Sequence, residues 1–148
     1  MEPLFDHEKL TVYQRSISFV AWAATISEKI PKSSSLHDQL DRASTSIPLN
    51  IAEGNGKWSK KDRCRYFDIA RGSSLECAAA LDVGIAKKFF TEQEMEPGKT
   101  DLANIVRMLI GLIKANDPQR EFGDINRVKE SASFYGANVE TEEQEQDC

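Results

Sequence analysis

Apolar residues recur along this chain at separations of three and four, the period of a helix face, and four such runs can be drawn. The first spans His7 to Lys29, with Asp6 as its N-cap and Leu10, Tyr13, Ile17, Val20 and Ala24 as its inward seam. Pro31 and the Lys32–Ser35 run end it in a turn. Ser35 caps a second helix, Leu36 to about Gly54, with Asp38 in capping-box position and Leu40, Ala43, Ile47 and Ile51 inside. Pro48 predicts a kink near Ser44–Ile47, and Gly54-Asn55-Gly56 a stop in left-handed backbone.

Ser59 opens a third helix, with Asp62 completing a second capping box, that should reach about Phe89, with Phe67, Ala70, Ser74, Cys77, Leu81 and Gly84 inside. Gly72 and Gly84, among small neighbours, suggest that another helix approaches closely. Thr91 and Glu94 form a further capping box, but Pro97-Gly98 interrupts the helical pattern just beyond it. The fourth helix is therefore placed from Thr100 to Ala115, with Leu102, Ile105, Leu109 and Leu112 inward and Val106 and Ile113 widening the stripe. Short links favour antiparallel neighbours, so the expected fold is all-α: an up-down-up-down four-helix bundle over residues 1–116. Residues 117–148 read as a polar, acidic, partly disordered tail whose apolar points include Ile125, Val128 and Phe134-Tyr135. Order should be poor after about Gly136, with room for a short docked helix before it.

Composition fits one soluble domain: 148 residues, 40% hydrophobic and 29% charged. The net charge of −5 conceals a split. The tail holds nine acids against three bases, and the other 116 residues carry 16 bases against 15 acids. The acidity belongs to the tail, and the body is nearly neutral. No basic start followed by an apolar run marks a signal peptide, and the longest apolar run, Ile105 to Ile113, is short and contains Arg107. The expected location is cytoplasmic, with no membrane partner. Cys64, Cys77 and Cys148 are odd in number and widely spaced, which suggests neither a disulfide framework nor a zinc site. Cys77 falls on the apolar stripe, and Cys148 ends the tail exposed.

Two constellations carry candidate chemistry. Lys57, Lys60, Lys61, Arg63, Arg65 and Arg71 stand against Asp62 and Asp68 alone, a local charge of +4, with Trp58 and Tyr66 among them. Cations beside aromatic rings suit phosphates and unpaired bases. The same residues also fit an ordinary solvated face, with Trp58 and Tyr66 anchoring the turn or a subunit contact. The second set is Arg42, Ser46, Asn50, Glu53 and Glu76, polar groups whose spacing on an otherwise apolar bundle suggests a buried network that fixes register. A sharper version makes Glu53 and Glu76 a catalytic or metal carboxylate pair. Di-iron bundles use Glu-x-x-His motifs, which this chain lacks; its histidines are His7 and His37. No Walker loop, dinucleotide fingerprint or nucleophile elbow is present, and Gly54-Asn55-Gly56-Lys57 has the wrong spacing for a phosphate loop. These observations point to no catalytic residue, metal or cofactor.

The run Gln39-Leu40-Asp41-Arg42-Ala43-Ser44-Thr45-Ser46-Ile47-Pro48-Leu49-Asn50-Ile51-Ala52-Glu53-Gly54 closely resembles the "QLxRAxxSIPxNIAEG" signature of a bacterial family. Members of that family are encoded in intervening sequences of the 23S ribosomal RNA gene. Arg65-Tyr66-Phe67 and Ala70-Arg71-Gly72-Ser73-Ser74-Leu75-Glu76 resemble its "rFlxxAxGSlxE" element, and the likeness extends over roughly residues 5 to 116. The resemblance implies an antiparallel four-helix bundle assembled as a ring-shaped homopentamer without established enzymatic activity. It also implies kinship with the accessory variability proteins of diversity-generating retroelements, which bind nucleic acid and a reverse transcriptase. The expected function is thus a non-enzymatic homo-oligomer that binds RNA or single-stranded DNA through Lys57–Arg71. Its rival is a protein-interaction scaffold or accessory subunit of a reverse transcriptase or other nucleic-acid enzyme.

Overall fold

A computed structural model describes residues 1–122. They form a 3₁₀ turn, Asp6–Lys9, and four helices: α1 (Thr11–Ser27), α2 (Ser35–Gly56), α3 (Lys60–Ala86) and α4 (Glu92–Asn116). Packing runs in a ring, α1 on α2 and α4, and α3 on α2 and α4, which leaves α1 and α3 on opposite corners. Contacts fix the directions. Ser73 meets Ser46 while Phe67 meets Gly54, so α2 and α3 are antiparallel. Cys64 meets Ile113 while Lys99 pairs with Asp82, so α3 and α4 are too. Arg15 reaches Asp101 at 3.3 Å and Lys29 reaches Glu94 at 2.5 Å, which makes α1 antiparallel to α4. The arrangement is the expected up-down-up-down bundle.

The inner faces of α2 and α3 are the expected ones: Leu40, Ala43, Ile47, Ile51, Phe67, Ala70, Ser74, Cys77, Leu81 and Gly84 are all buried. Burial pushes the Cys77 thiol up to about 12, the state of an inert core cysteine. On α4, Leu102, Ile105, Val106, Leu109 and Ile113 are buried, and Leu112 is only half-buried.

The face of α1 differs from expectation. Its buried stripe is Val12, Ser16, Phe19, Ala23 and Ile26; of the expected seam, Leu10, Tyr13 and Val20 are half-buried and Ile17 and Ala24 exposed. Both stripes have separations of three and four, but the buried one contains a serine. That serine costs little, because its hydroxyl donates to the Tyr13 carbonyl at 2.7 Å. Phe19, wholly buried, supplies the bulk at the centre.

Helix starts shift for local reasons. Asp6 caps nothing and instead accepts from the Asn55 side chain; α1 begins after Leu10, whose extended backbone carries no side-chain cap. Ser34, not Ser35, caps α2 by accepting from Leu36 N at 3.3 Å, so Asp38 falls one position beyond a capping box. Ser59 caps α3 as expected, accepting from Asp62 N at 3.1 Å, but the Asp62 side chain does not return the bond that would complete a capping box.

Gly54 is not a left-handed stop. It lies in the last turns of α2, where a Cβ would fall 2.8 Å from the Phe67 ring, so its role is close packing. Pro48 is buried within α2, and the helix continues through it. Of the two α3 glycines, Gly72 faces open space, and Gly84 makes room for Phe90 rather than another helix. That ring folds back beyond Lys88, whose φ of 62° ends α3, with Phe89 N donating to the Gly84 carbonyl at 3.0 Å.

The largest difference in length is in α4, which starts at Glu92 and runs through Pro97-Gly98. The Thr91/Glu94 capping box nucleates it: Thr91 N donates to Glu94 at 2.7 Å and Glu94 N to Thr91 at 3.2 Å. Pro97 sits one turn in, where it removes a single backbone donor. Gly98 receives the Trp22 ring from α1.

Met1–Pro118 form one compact unit and Gln119–Cys148 a second, in which the Arg120 guanidinium stands 4.7 Å from the Phe122 ring centroid. The expected short helix, the poorly ordered end, Ile125, Val128, Phe134, Tyr135 and Cys148 lie outside the described residues.

Candidate nucleic-acid interface

The α2–α3 connection is three residues, Lys57, Trp58 and Ser59, held tight by the Ser59 cap at one side and the Lys57 N–H on the Gly54 carbonyl at the other. Trp58 is 100% exposed, and Lys60 and Lys61 are exposed beside it in the first turn of α3. Among the described residues these two lysines make no ion pair.

The other cations are committed differently. Lys57 Nζ lies 5.0 Å from the Tyr66 ring centroid, and the Arg65 guanidinium 5.1 Å from it. Arg65 also donates to the Tyr66 hydroxyl at 3.3 Å, which raises its pKa further. Tyr66 therefore orients two cations, and its ring is engaged by the protein's own charges. Arg63 is half-buried and donates to Asn55 Oδ1 at 3.3 Å; Asn55 Nδ2 in turn donates to Asp6 Oδ2 at 3.0 Å. This relay clips the 3₁₀ turn to the corner, so Arg63 is structural. Arg71 lies eleven residues beyond Lys60, ~16 Å along the axis, half-buried with Asp68 3.9 Å away. Among the described residues, the Nε atoms of both Arg63 and Arg71 are buried without a hydrogen-bond partner.

The sequence cluster thus divides. Trp58, Lys60 and Lys61 form the exposed corner, Lys57 and Arg65 flank it over Tyr66, and Arg63 and Arg71 stand apart in role or place. Lys9, in the last turn of the 3₁₀ segment, and Lys114, next to Ile113, are cations that sequence spacing did not associate with this end. The Cys64–Ile113 contact and the Asp6–Asn55 bond bring their elements here, and neither is visible as a local pattern.

The second constellation contracts. Ser73 Oγ donates to Ser46 Oγ at 2.8 Å, and Asn50 Nδ2 donates to the Ser46 carbonyl at 2.8 Å and hydroxyl at 2.9 Å. Arg42, Glu53 and Glu76 are exposed in the protomer and do not join it; within one chain the set holds Ser46, Asn50 and Ser73. Two serines facing each other let α2 and α3 approach closely, and the long charged side chains stay on the rim. Among the described residues no group of three or more His, Cys, Asp or Glu is placed to hold a metal ion. His7 lies between Phe5 and Tyr13, and His37 lies 3.9 Å from Asp38.

Apolar side chains also remain outside. On α3, Ile69, Gly72, Ala79 and Val83 are exposed along one stripe with Arg65 and Glu76, again at separations of three and four. Leu49 on α2 is 60% exposed and Ile17 on α1 45%. No helix of the described residues is long and apolar enough to cross a membrane.

A crystal structure of a protein of unknown function from the S23 ribosomal protein family of Bacteroides thetaiotaomicron is similar, with a TM-score of 0.66 and 25% identity over 70% of this chain and 99% of that one. No curated protein matches the chain. Residues 8–111, which hold both the signature run on α2 and its continuation on α3, match the family described as 23S rRNA-intervening sequence protein, and the chain belongs to that family.

Proposed function

We propose that this protein is a cytoplasmic, non-enzymatic homo-oligomer that binds RNA or single-stranded DNA through the α2–α3 corner. The observation that carries the reading is Trp58, wholly exposed between Lys57 and the exposed Lys60 and Lys61, which make no ion pair among the described residues. An indole in water stabilises nothing in the protomer, but stacked on an unpaired base with phosphates on the adjacent ammonium groups it contributes affinity. The outward stripes of α1 and α3 support assembly. They lie on opposite corners, a placement that suits a heterologous contact between one copy's α1 and the next copy's α3, the kind of contact from which rings are built. A homopentamer is the ring we propose. It repeats the corner around an axis, where weak contacts reinforce one another through effective concentration.

A second reading is favoured by the same exposed ring and apolar stripes: a protein-interaction scaffold, such as an accessory subunit of a reverse transcriptase. An aromatic anchor amid cations also suits an acidic protein partner. The test is the mass by light scattering, then binding to RNA and single-stranded DNA at about 50 and 200 mM salt. Binding that weakens steeply with salt and is lost in Lys60→Glu/Lys61→Glu supports the first reading. A stable multimer that ignores nucleic acid at low salt overturns it and favours the second.

A further inference from the structure

We infer that the single-strand site extends across the 3₁₀ turn, with Phe5 as a second stacking ring at the same end of the bundle as Trp58. The inference rests on the nucleic-acid reading above and adds a residue and a substrate preference to it. Phe5 is 62% exposed, yet it is held firmly. Leu4 N and Phe5 N both donate to the Glu8 carboxylate at 2.7 Å, which holds that carboxyl below its ordinary range, and Glu8 N donates to the Phe5 carbonyl at 3.1 Å. On one side of the ring stands the His7 imidazole, 5.7 Å away and 12° from parallel, and the Tyr13 ring meets His7 edge-on at 4.7 Å.

The turn is tied to the corner that carries Trp58. Asp6, next to Phe5, accepts from Asn55, and Asn55 accepts from Arg63. Trp58 follows Asn55 by three residues, at most ~11 Å of chain. Two exposed rings, one preset by its stack and one on a tight connection, thus share an end of the bundle with Lys9, Lys60 and Lys61. Phosphate chemistry accounts for the cations, but a duplex hides its base faces and offers the rings nothing. The ligand class is therefore an unpaired strand long enough to present two bases, and paired nucleic acid is discriminated against.

The probes are a ten-nucleotide oligouridylate, the matching oligothymidylate and a ten-base-pair duplex, titrated against the intact protein. Phe5→Ala should weaken both single strands by about 5- to 100-fold, as loss of one stacked base does, and leave duplex binding unchanged. Phe5→Trp should retain affinity, and Phe5→Leu, apolar without a ring, should not. Asp6→Ala, which frees the turn and leaves the ring in place, should weaken single-strand binding as well. Equal affinity of Phe5→Ala and the parent protein, with Lys60→Glu/Lys61→Glu inactive, overturns the Phe5 site and leaves the corner standing. Indifference to all of these variants overturns both.

Discussion

The Trp22 ring occupies the place where a side chain on Gly98 would stand: a Cβ there would come within 2.2 Å of the indole. That contact joins α1 to α4 at the residue immediately after Pro97, the point where sequence alone breaks the helix. Gly98→Ala must displace the ring. Overpacking of this kind costs ~1–3 kcal/mol, more than the ~1 kcal/mol that alanine gains in helix propensity. Gly111, in the same helix, faces open space. Its alanine variant should gain up to ~1 kcal/mol. Denaturant unfolding of the two variants should give shifts of opposite sign, and equal shifts would show that the Trp22 contact is not formed.

Acid should loosen the α1–α4 end. The Lys29 ammonium and the Thr91 N–H hold the Glu94 carboxyl below its ordinary value of 4.5. A group depressed in the folded state contributes stability above the unfolded value and loses it as pH falls through the folded one. Melting temperature should therefore hold from pH 7 to about 5 and decline below 4.5, and Glu94→Gln should flatten that decline. An unchanged acid limb in the variant would place the acid sensitivity elsewhere.

Neighbouring cations on α3 should separate by phenotype. Lys60→Ala/Lys61→Ala should not lower the melting temperature and should reduce the salt slope by ~0.7 for each phosphate contact removed. Arg63→Ala breaks the bond to Asn55, which in turn holds the 3₁₀ turn, so stability should fall by ~1 kcal/mol. Loss of stability in the lysine variant would mean that these ammonium groups are packed rather than free.

Ile69→Asp on the outer face of α3, or Ile17→Asp on that of α1, should dissociate the oligomer into folded protomers. Both side chains are 45% exposed in the protomer, so helicity by circular dichroism should persist while the mass falls. A full-size assembly in both variants would place the subunit contact on another surface.

The inward faces of α2 and α3 and most of that of α4 were legible because spacing of three and four is a property of the helix itself, independent of what it packs against. The Ser59 and Thr91 caps were legible for a similar reason, since donor and acceptor are three residues apart. The candidate corner was legible only as a run of charges. Arg63 and Lys60 look alike in sequence, yet one is clipped to Asn55 and the other faces water.

By itself, then, the sequence determined the number of helices, their fold class and the run of cations at the start of α3, all of them consequences of near-neighbour chemistry. Only the tertiary structure decided which of two equally spaced stripes of α1 turns inward. It also decided that Gly54, Gly84 and Gly98 serve Phe67, Phe90 and Trp22, and that Phe5 shares an end with Trp58. The reason is physical: periodicity fixes directions around one helix axis, whereas fit between rings and gaps on different elements is settled by volume, which no single stretch of chain contains.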